Sequence, residues 1–138
     1  MNWKLIFGLS LFGLAMAIAT VFMHIPNVTQ WILWFAIMIV CAFLIARNAP
    51  GKYFLHGFLV SIVNSFWITV THILLFNTFV TNNPEMAEMS AKMPMLAEHP
   101  KRLMAIIGPI YGICFGVVLG LFAFIASKLI KRPPQLAR

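Results

Sequence analysis

Four apolar runs account for most of this chain, and each is long enough to cross a lipid bilayer. They occupy residues 3–23, 30–46, 53–80 and 103–130. A spanning helix needs about 20 apolar residues, because the hydrocarbon core is about 30 Å thick. Within hydrocarbon a segment must satisfy its own backbone hydrogen bonds, which favours helices. We therefore predict an all-α polytopic membrane protein, with residues 1–138 forming a single bundle of four transmembrane helices.

Composition supports the same class. Hydrophobic residues make up 62% of the chain and charged residues 9%, whereas soluble domains are about 45–50% apolar and about 25% charged. The net charge of +7 comes from basic residues at the ends of the runs. Such residues fit contact with anionic lipid head groups, so we predict the lipid bilayer as a partner and no nucleic acid. Cys41 and Cys114 lie inside apolar runs and are predicted to be buried free thiols.

The distribution of lysine and arginine predicts the orientation. If four helices alternate, seven of the ten basic residues lie on the side of the two termini. By the positive-inside rule both termini are cytoplasmic and the segment 81–102 faces outward. Ala17-Ile18-Ala19 resembles a signal-peptidase site, but apolar residues continue to Met23, which favours a retained helix.

The fourth run carries a ladder of glycines. Residues four apart lie on one face of a helix, so the ladder forms a strip almost without side chains, consisting of Gly108, Gly112, Gly116 and Gly120. Small residues let helix backbones approach closely in lipid. We predict a glycine zipper that packs within the monomer, against a second copy, or against another membrane protein. A second small-residue strip on the first run is a candidate mate and consists of Ser10, Gly13, Ala17 and Thr20.

One half of the third run is polar. Spacing places six candidate residues on that half: Ser61, Asn64, Ser65, Thr69, Thr71 and His72. Interhelical hydrogen bonding is the first interpretation. The alternative is a hydrated track of a channel or carrier for a small solute or ion, with Asn64 and the hydroxyls as ligands and His72 as a titratable gate. No acidic or basic residue lies at membrane depth, which disfavours a carboxylate-coupled pump and the small multidrug-resistance type of transporter.

The outward segment contains methionines at helical spacing. Asn83-Pro84-Glu85 predicts a helix start, and Met86, Met89, Met93 and Ala97 then share one face. We predict a short helix on the bilayer surface, interrupted near Pro94. A Cu(I) site built from these methionines together with Met95 and His99 is the alternative, because thioethers are soft ligands. Apolar packing explains the methionines more simply, and we predict no metal site and no cofactor.

Catalytic motifs are missing from the sequence. It has no GxSxG, HExxH or CxxC motif, no paired carboxylates and no phosphate-binding loop. Gly108-Pro109 is predicted to kink the fourth helix and to free a carbonyl near Met104 for Thr71 or His72. His24, His56 and His99 are predicted at the membrane interfaces, with His56 acting as a head-group anchor. We therefore predict a protein that is not an enzyme.

Two short motifs carry a resemblance to a family. Gly51-Lys52-Tyr53-Phe54 precedes the third run, and Gly108-Pro109-Ile110-Tyr111-Gly112 follows the outward segment. In these stretches the chain resembles small bacterial membrane proteins of the domain of unknown function numbered 4199. The resemblance implies four helices in a bacterial inner membrane and carries no site with it. A structural or accessory membrane component is the predicted function, and a channel or carrier is the alternative.

Overall fold

The computed structural model describes residues 1–94 and 98–130, and six α-helices are defined within them. In chain order these helices are α1 (Trp3–Phe22), α2 (Asn27–Asn48), α3 (Tyr53–Leu74), α4 (Phe76–Asn82), α5 (Pro84–Lys92) and α6 (Pro100–Leu129). The described residues contain no strand. Four of the helices, α1, α2, α3 and α6, are long and apolar enough to cross a membrane. The predicted all-α fold with four such helices is confirmed.

The third apolar run is divided in the structure. We predicted a single run over 53–80, but α3 ends at Leu74 and α4 begins at Phe76. Leu75 joins them with φ −104° and ψ 29°, outside the helical region. The hydropathy of the run continues across this position, so the pattern gave no sign of the break. Tertiary contact accompanies the break, because α4 packs on α1 and the Phe79 side chain is buried.

Helix α3 lies between α1 and α6, and α2 packs mainly on α6. We call the end of the bundle where α1 and α3 begin the terminal end, and the opposite end the distal end. All four long helices contribute to a core of Ile6, Leu9, Cys41, Ala42, Ile45, Ala49, Val60, Leu119 and Ala123. The buried residues of α2 all lie between Cys41 and Ala46. Helix α2 is therefore held in the bundle mainly by its last turns.

The terminal end is closed by a tight turn and a buried histidine. Gly51 has φ +152°, and Lys52 has a left-handed φ of +49°. Residues other than glycine rarely adopt positive φ angles. One turn later, His56 is only 1% exposed. Its Nε2 accepts a hydrogen bond from the Asn2 backbone N–H at 3.1 Å, and its Nδ1 lies 3.0 Å from the Lys52 carbonyl. The neutral Nδ1–H tautomer satisfies both partners.

The prediction of His56 as a head-group anchor is wrong. Its ring lies inside the protein and joins the start of α1 to the start of α3. The Asn2 side chain also caps α1, with its Oδ1 accepting from the Leu5 N–H at 3.2 Å. The position of His56 near the start of an apolar run predicted the membrane interface. The tertiary fold instead places the Asn2 backbone N–H within hydrogen-bond distance of the ring.

Candidate functional site: the polar face of α3

The glycine ladder of α6 lies against α3. A methyl group built on Gly112 would stand 2.6 Å from Cβ of Ser65, and one built on Gly120 would stand 2.8 Å from the Phe54 carbonyl oxygen. Gly116 lies against Phe58 and Gly108 against Thr69. A side chain at Gly120 would meet the α3 backbone, whereas side chains at Gly108, Gly112 and Gly116 would first meet side chains of α3.

The contact is reciprocal, because α3 contributes a glycine of its own. A Cβ on Gly57 would stand 2.7 Å from the Leu119 carbonyl oxygen and 2.9 Å from Cα of Gly120. Here backbone faces backbone on both sides. The sequence placed Gly57 on the polar half of the third run, and its role is to let α6 approach.

Two serines of α3 use this proximity to make hydrogen bonds. Ser61 Oγ donates to the Gly112 carbonyl at 3.1 Å, and Ser65 Oγ donates to the Gly108 carbonyl at 2.7 Å. Both acceptors are ladder glycines, whose carbonyls lie exposed to a neighbouring helix because no side chain covers them. Each interhelical bond of this kind contributes roughly 0.6 kcal/mol on average in membrane proteins.

The opposite side of the polar face packs on α1. Asn64 lies against Gly13, and Trp67 Nε1 donates to Ser10 Oγ at 3.2 Å. Thr20 Oγ1 lies 3.0 Å from His72 Nε2. The small-residue strip of α1 therefore meets α3, and its prediction as the mate of the glycine ladder is wrong. Trp67 reaches α1 through its indole N–H. Helical spacing alone could not predict this contact.

Five of the six candidate residues divide between two interfaces. Ser61, Ser65 and Thr69 meet α6, whereas Asn64 and His72 meet α1. The Thr71 hydroxyl makes no hydrogen bond to another helix among the described residues. Two surface depressions of the described residues lie away from the polar face of α3. One is lined by residues 98–102, and the other by Trp31, Ile32, Trp34, Phe35, Met38 and Phe115.

Asn64 is the exception to this pairing. The residue is 8% exposed, and its Oδ1 is buried without a hydrogen-bond partner among the described residues. The oxygen lies where a side chain at Gly13 would otherwise be.

A cluster of amides closes the distal end. Asn83 Nδ2 donates to the Thr20 carbonyl at 2.8 Å, and Asn82 Nδ2 donates to the Val21 carbonyl at 2.9 Å. These carbonyls belong to the last turn of α1, where intrahelical donors run out. Next to them, the rings of His72 and Phe79 stack with centroids 4.1 Å apart. Sequence reasoning missed this cluster, although two asparagines directly after an apolar run are a recognisable signal for capping.

Pro109 lies inside α6 as expected. The predicted hydrogen bond from Thr71 or His72 to the carbonyl near Met104 is not among those of the described residues. His72 instead pairs with Thr20 on α1. The hydroxyls that do reach α6 bind the carbonyls of Gly108 and Gly112, because the ladder brings those two groups closest to α3.

The remaining candidate ligands are dispersed. Within residues 1–94 and 98–130 no group of three His, Cys, Asp or Glu side chains is placed to hold a metal ion. Met95, part of the Cu(I) alternative, lies outside the described residues. Both cysteines are free; Cys41 is buried as predicted, but Cys114 is exposed on α6, which corrects its prediction as a buried thiol.

Comparison of the chain with protein-family models, curated proteins and solved structures finds no match. The resemblance to the domain of unknown function numbered 4199 therefore stays a prediction. Among the described residues the polar face of α3 offers hydroxyls, an amide and an imidazole, and three of its six candidate side chains bind neighbouring helices.

Proposed function

We propose that this protein is a non-enzymatic structural or accessory component of a membrane, built around the close contact between α3 and α6. One observation carries the proposal. The hydroxyls of Ser61 and Ser65 are used up in direct bonds to the ladder carbonyls, at 3.1 Å and 2.7 Å. Side chains that line a water-filled path keep their polar atoms available to solvent.

The proposed location is a bacterial inner membrane with both termini in the cytoplasm. Four described basic residues, Lys4, Arg47, Lys52 and Lys128, lie at or near the terminal end. Three others lie toward the distal end: Lys92 at the end of α5, and Lys101 and Arg102 at the start of α6. Lys131, Arg132 and Arg138 follow α6 in the sequence, so seven of the ten basic residues are assigned to the side of the termini. This asymmetry supports the terminal end as the cytoplasmic one.

A second candidate function is a channel or carrier for a small solute or ion, and one observation favours it. The buried Oδ1 of Asn64 has no hydrogen-bond partner within residues 1–94 and 98–130, and an unpaired acceptor at membrane depth is a group that a polar solute could use. The same residue touches Gly13 directly, so a solute would have to separate α1 from α3 to reach it.

Reconstitution into liposomes separates the two candidates. The structural proposal expects no flux of ions or small polar solutes above that of empty vesicles. Flux that disappears on Asn64→Leu, in a variant that retains its helical content and thermal midpoint, would establish the second candidate and overturn the first.

The glycine contact is tested separately by Gly112→Leu and Gly116→Leu. Both substitutions put a branched side chain where α3 lies, so we expect loss of the folded, monodisperse protein in detergent. Gly8→Leu is the matched control, because no atom of the described residues, beyond its sequence neighbours and the nearby backbone of its own helix, lies within 4 Å of a Cβ at that position. If the ladder variants fold and unfold like the Gly8 variant, the contact does not organise the protein.

A further inference from the structure

Helix α5 is tied to the distal end of the spanning helices by its neighbours in sequence. The amides of Asn82 and Asn83 bond the last turn of α1, and α5 begins one residue later at Pro84. A second tie joins the first residue of α2 to the first turn of α5, with Asn27 Nδ2 donating to Glu85 Oε2 at 2.6 Å. His24, in the turn between α1 and α2, adds a ring contact of 3.2 Å to the Asn82 carbonyl.

These ties fix the depth of α5 relative to a bilayer. Helix α1 has 20 residues, so it is about 30 Å long and its last turn reaches the edge of the hydrocarbon core. Helix α2 starts at the same level. A helix bonded to the end of one span and the beginning of the next begins at the bilayer surface.

Met86, Met89 and Met93 share one side of α5. At about 100° per residue, Met86 and Met89 lie within one 60° sector of the helix. Met86 is partly buried, whereas Met89 is 43% exposed and Met93, directly after the helix, is 50% exposed. Among the described residues the main helix contact of α5 is with α4, so Met89 and Met93 form an apolar surface that the described bundle leaves open. Glu88 and Ala91 lie on the opposite side.

We propose that the face formed by Met86, Met89 and Met93 inserts into the head-group region of the bilayer, with Glu88 and Ala91 directed to water. Methionine is flexible and apolar, which suits the irregular boundary between head groups and acyl chains. A short helix with one apolar face and low overall hydrophobicity lies in the plane of the interface. The contact braces the turn between α1 and α2 against the membrane through the Asn82 and Asn83 amides.

Spin labels on the two sides of α5 test the proposal. The full chain, with Cys41→Ala and Cys114→Ala, is placed in nanodiscs of phosphatidylcholine and phosphatidylglycerol. One variant carries a nitroxide on Met89→Cys and the matched control carries it on Ala91→Cys. We expect the label at 89 to collide more with oxygen than with a water-soluble nickel chelate, and the label at 91 to do the reverse.

Two other accessibility results would overturn the proposal. Equal exposure of both labels to the nickel chelate would place α5 in water. Protection of the label at 89 from oxygen and nickel together would mean that protein covers the face, either a second copy or another part of the chain.

Substitution of the flanking methionines separates apolar insertion from thioether chemistry. Met86→Leu with Met93→Leu keeps the apolar surface, so we expect the label at 89 to keep its preference for oxygen. Met86→Ser with Met93→Ser removes that surface, and the preference should fall severalfold toward that of the label at 91. Loss of the preference in the leucine variant would instead indicate a partner that needs sulfur, such as Cu(I), and would overturn insertion into lipid.

Discussion

Single atoms decide how α1 meets α3. The absence of a side chain at Gly13 leaves the volume that the Asn64 amide fills, and the amide oxygen there has no hydrogen-bond partner among the described residues. Shape complementarity is therefore achieved at the expense of one unpaired acceptor. The cost of such a buried acceptor is about 1–3 kcal/mol, which makes the fit between these two residues a sensitive point of the fold.

Gly13→Ala is expected to destabilise the protein by about 1–3 kcal/mol, because the new methyl group would overlap the Asn64 amide. The free energy of unfolding can be measured by titrating SDS into a mild detergent. Gly8→Ala, on the same helix, should be neutral or slightly stabilising, because no atom of the described residues, beyond its sequence neighbours and the nearby helix backbone, lies within 4 Å of its Cβ.

Combining Gly13→Ala with Asn64→Ala should recover part of the loss, since the clash requires both groups. The double-mutant cycle should give a coupling free energy of roughly 1 kcal/mol or more. Strictly additive effects would mean that these two residues do not touch.

A second prediction at the residue scale concerns His56. His56→Phe keeps a ring of similar size but leaves the Asn2 N–H without its partner and removes the ring's bond to the Lys52 carbonyl, which still accepts from the backbone N–H of residue 56. We expect a loss of about 1–3 kcal/mol in the free energy of unfolding, together with faster hydrogen exchange at Asn2. His99→Phe, at an exposed position, is the control and should have little effect. Unchanged exchange at Asn2 would contradict the assigned bridge.

At the scale of elements, the contact between α3 and α6 is not uniform along its length. Near the terminal end, Gly57 and Gly120 bring backbone against backbone, whereas a Cβ at Gly116 would first meet the Phe58 ring at 2.9 Å and then the Phe58 carbonyl oxygen at 3.2 Å. A ring can rotate away from a new methyl group, but a backbone can move only with its whole helix. The tolerance of each glycine to substitution should follow this difference.

Gly57→Ala should therefore cost more than Gly116→Ala. A Cβ at Gly57 would lie 2.7 Å from a carbonyl oxygen, and one at Gly116 would lie 2.9 Å from a ring carbon. We expect about 2–3 kcal/mol for the first and roughly half of that for the second, measured by the same SDS titration. Equal losses would show that the helices move apart as easily at one glycine as at the other.

At this scale the sequence predicted a great deal. Four glycines spaced four residues apart predicted the face of α6 that another backbone approaches, because residues at this spacing share one side of a helix. The sequence also located the face of α3 that contacts other helices. It did not pair these two faces, and it offered the strip on α1 only as a candidate mate for the ladder, because small residues permit approach by any helix equally well.

For the whole molecule, the asymmetry of basic residues leads to a prediction of topology. Alkaline phosphatase fused after Ala91 should be active, because residues 81–102 are proposed to face outward, and a fluorescent protein fused after Leu129 should fold and emit in the cytoplasm. The reciprocal fusions, a fluorescent protein after Ala91 and phosphatase after Leu129, serve as controls and should be silent. Activity of both phosphatase fusions would contradict the proposed orientation.

The sequence by itself determined that the chain forms four apolar helices and which face of α3 and of α6 is suited to contact with protein. These properties depend on composition and on residues three or four apart, so they are local. Only the tertiary structure decided that the ladder of α6 meets α3, that Leu75 breaks the third run, and that Asn82 and Asn83 cap α1. The physical reason is that a carbonyl can accept a hydrogen bond from any donor, and a glycine surface can contact any backbone that fits it. Which partner is present depends on how all the helices pack together.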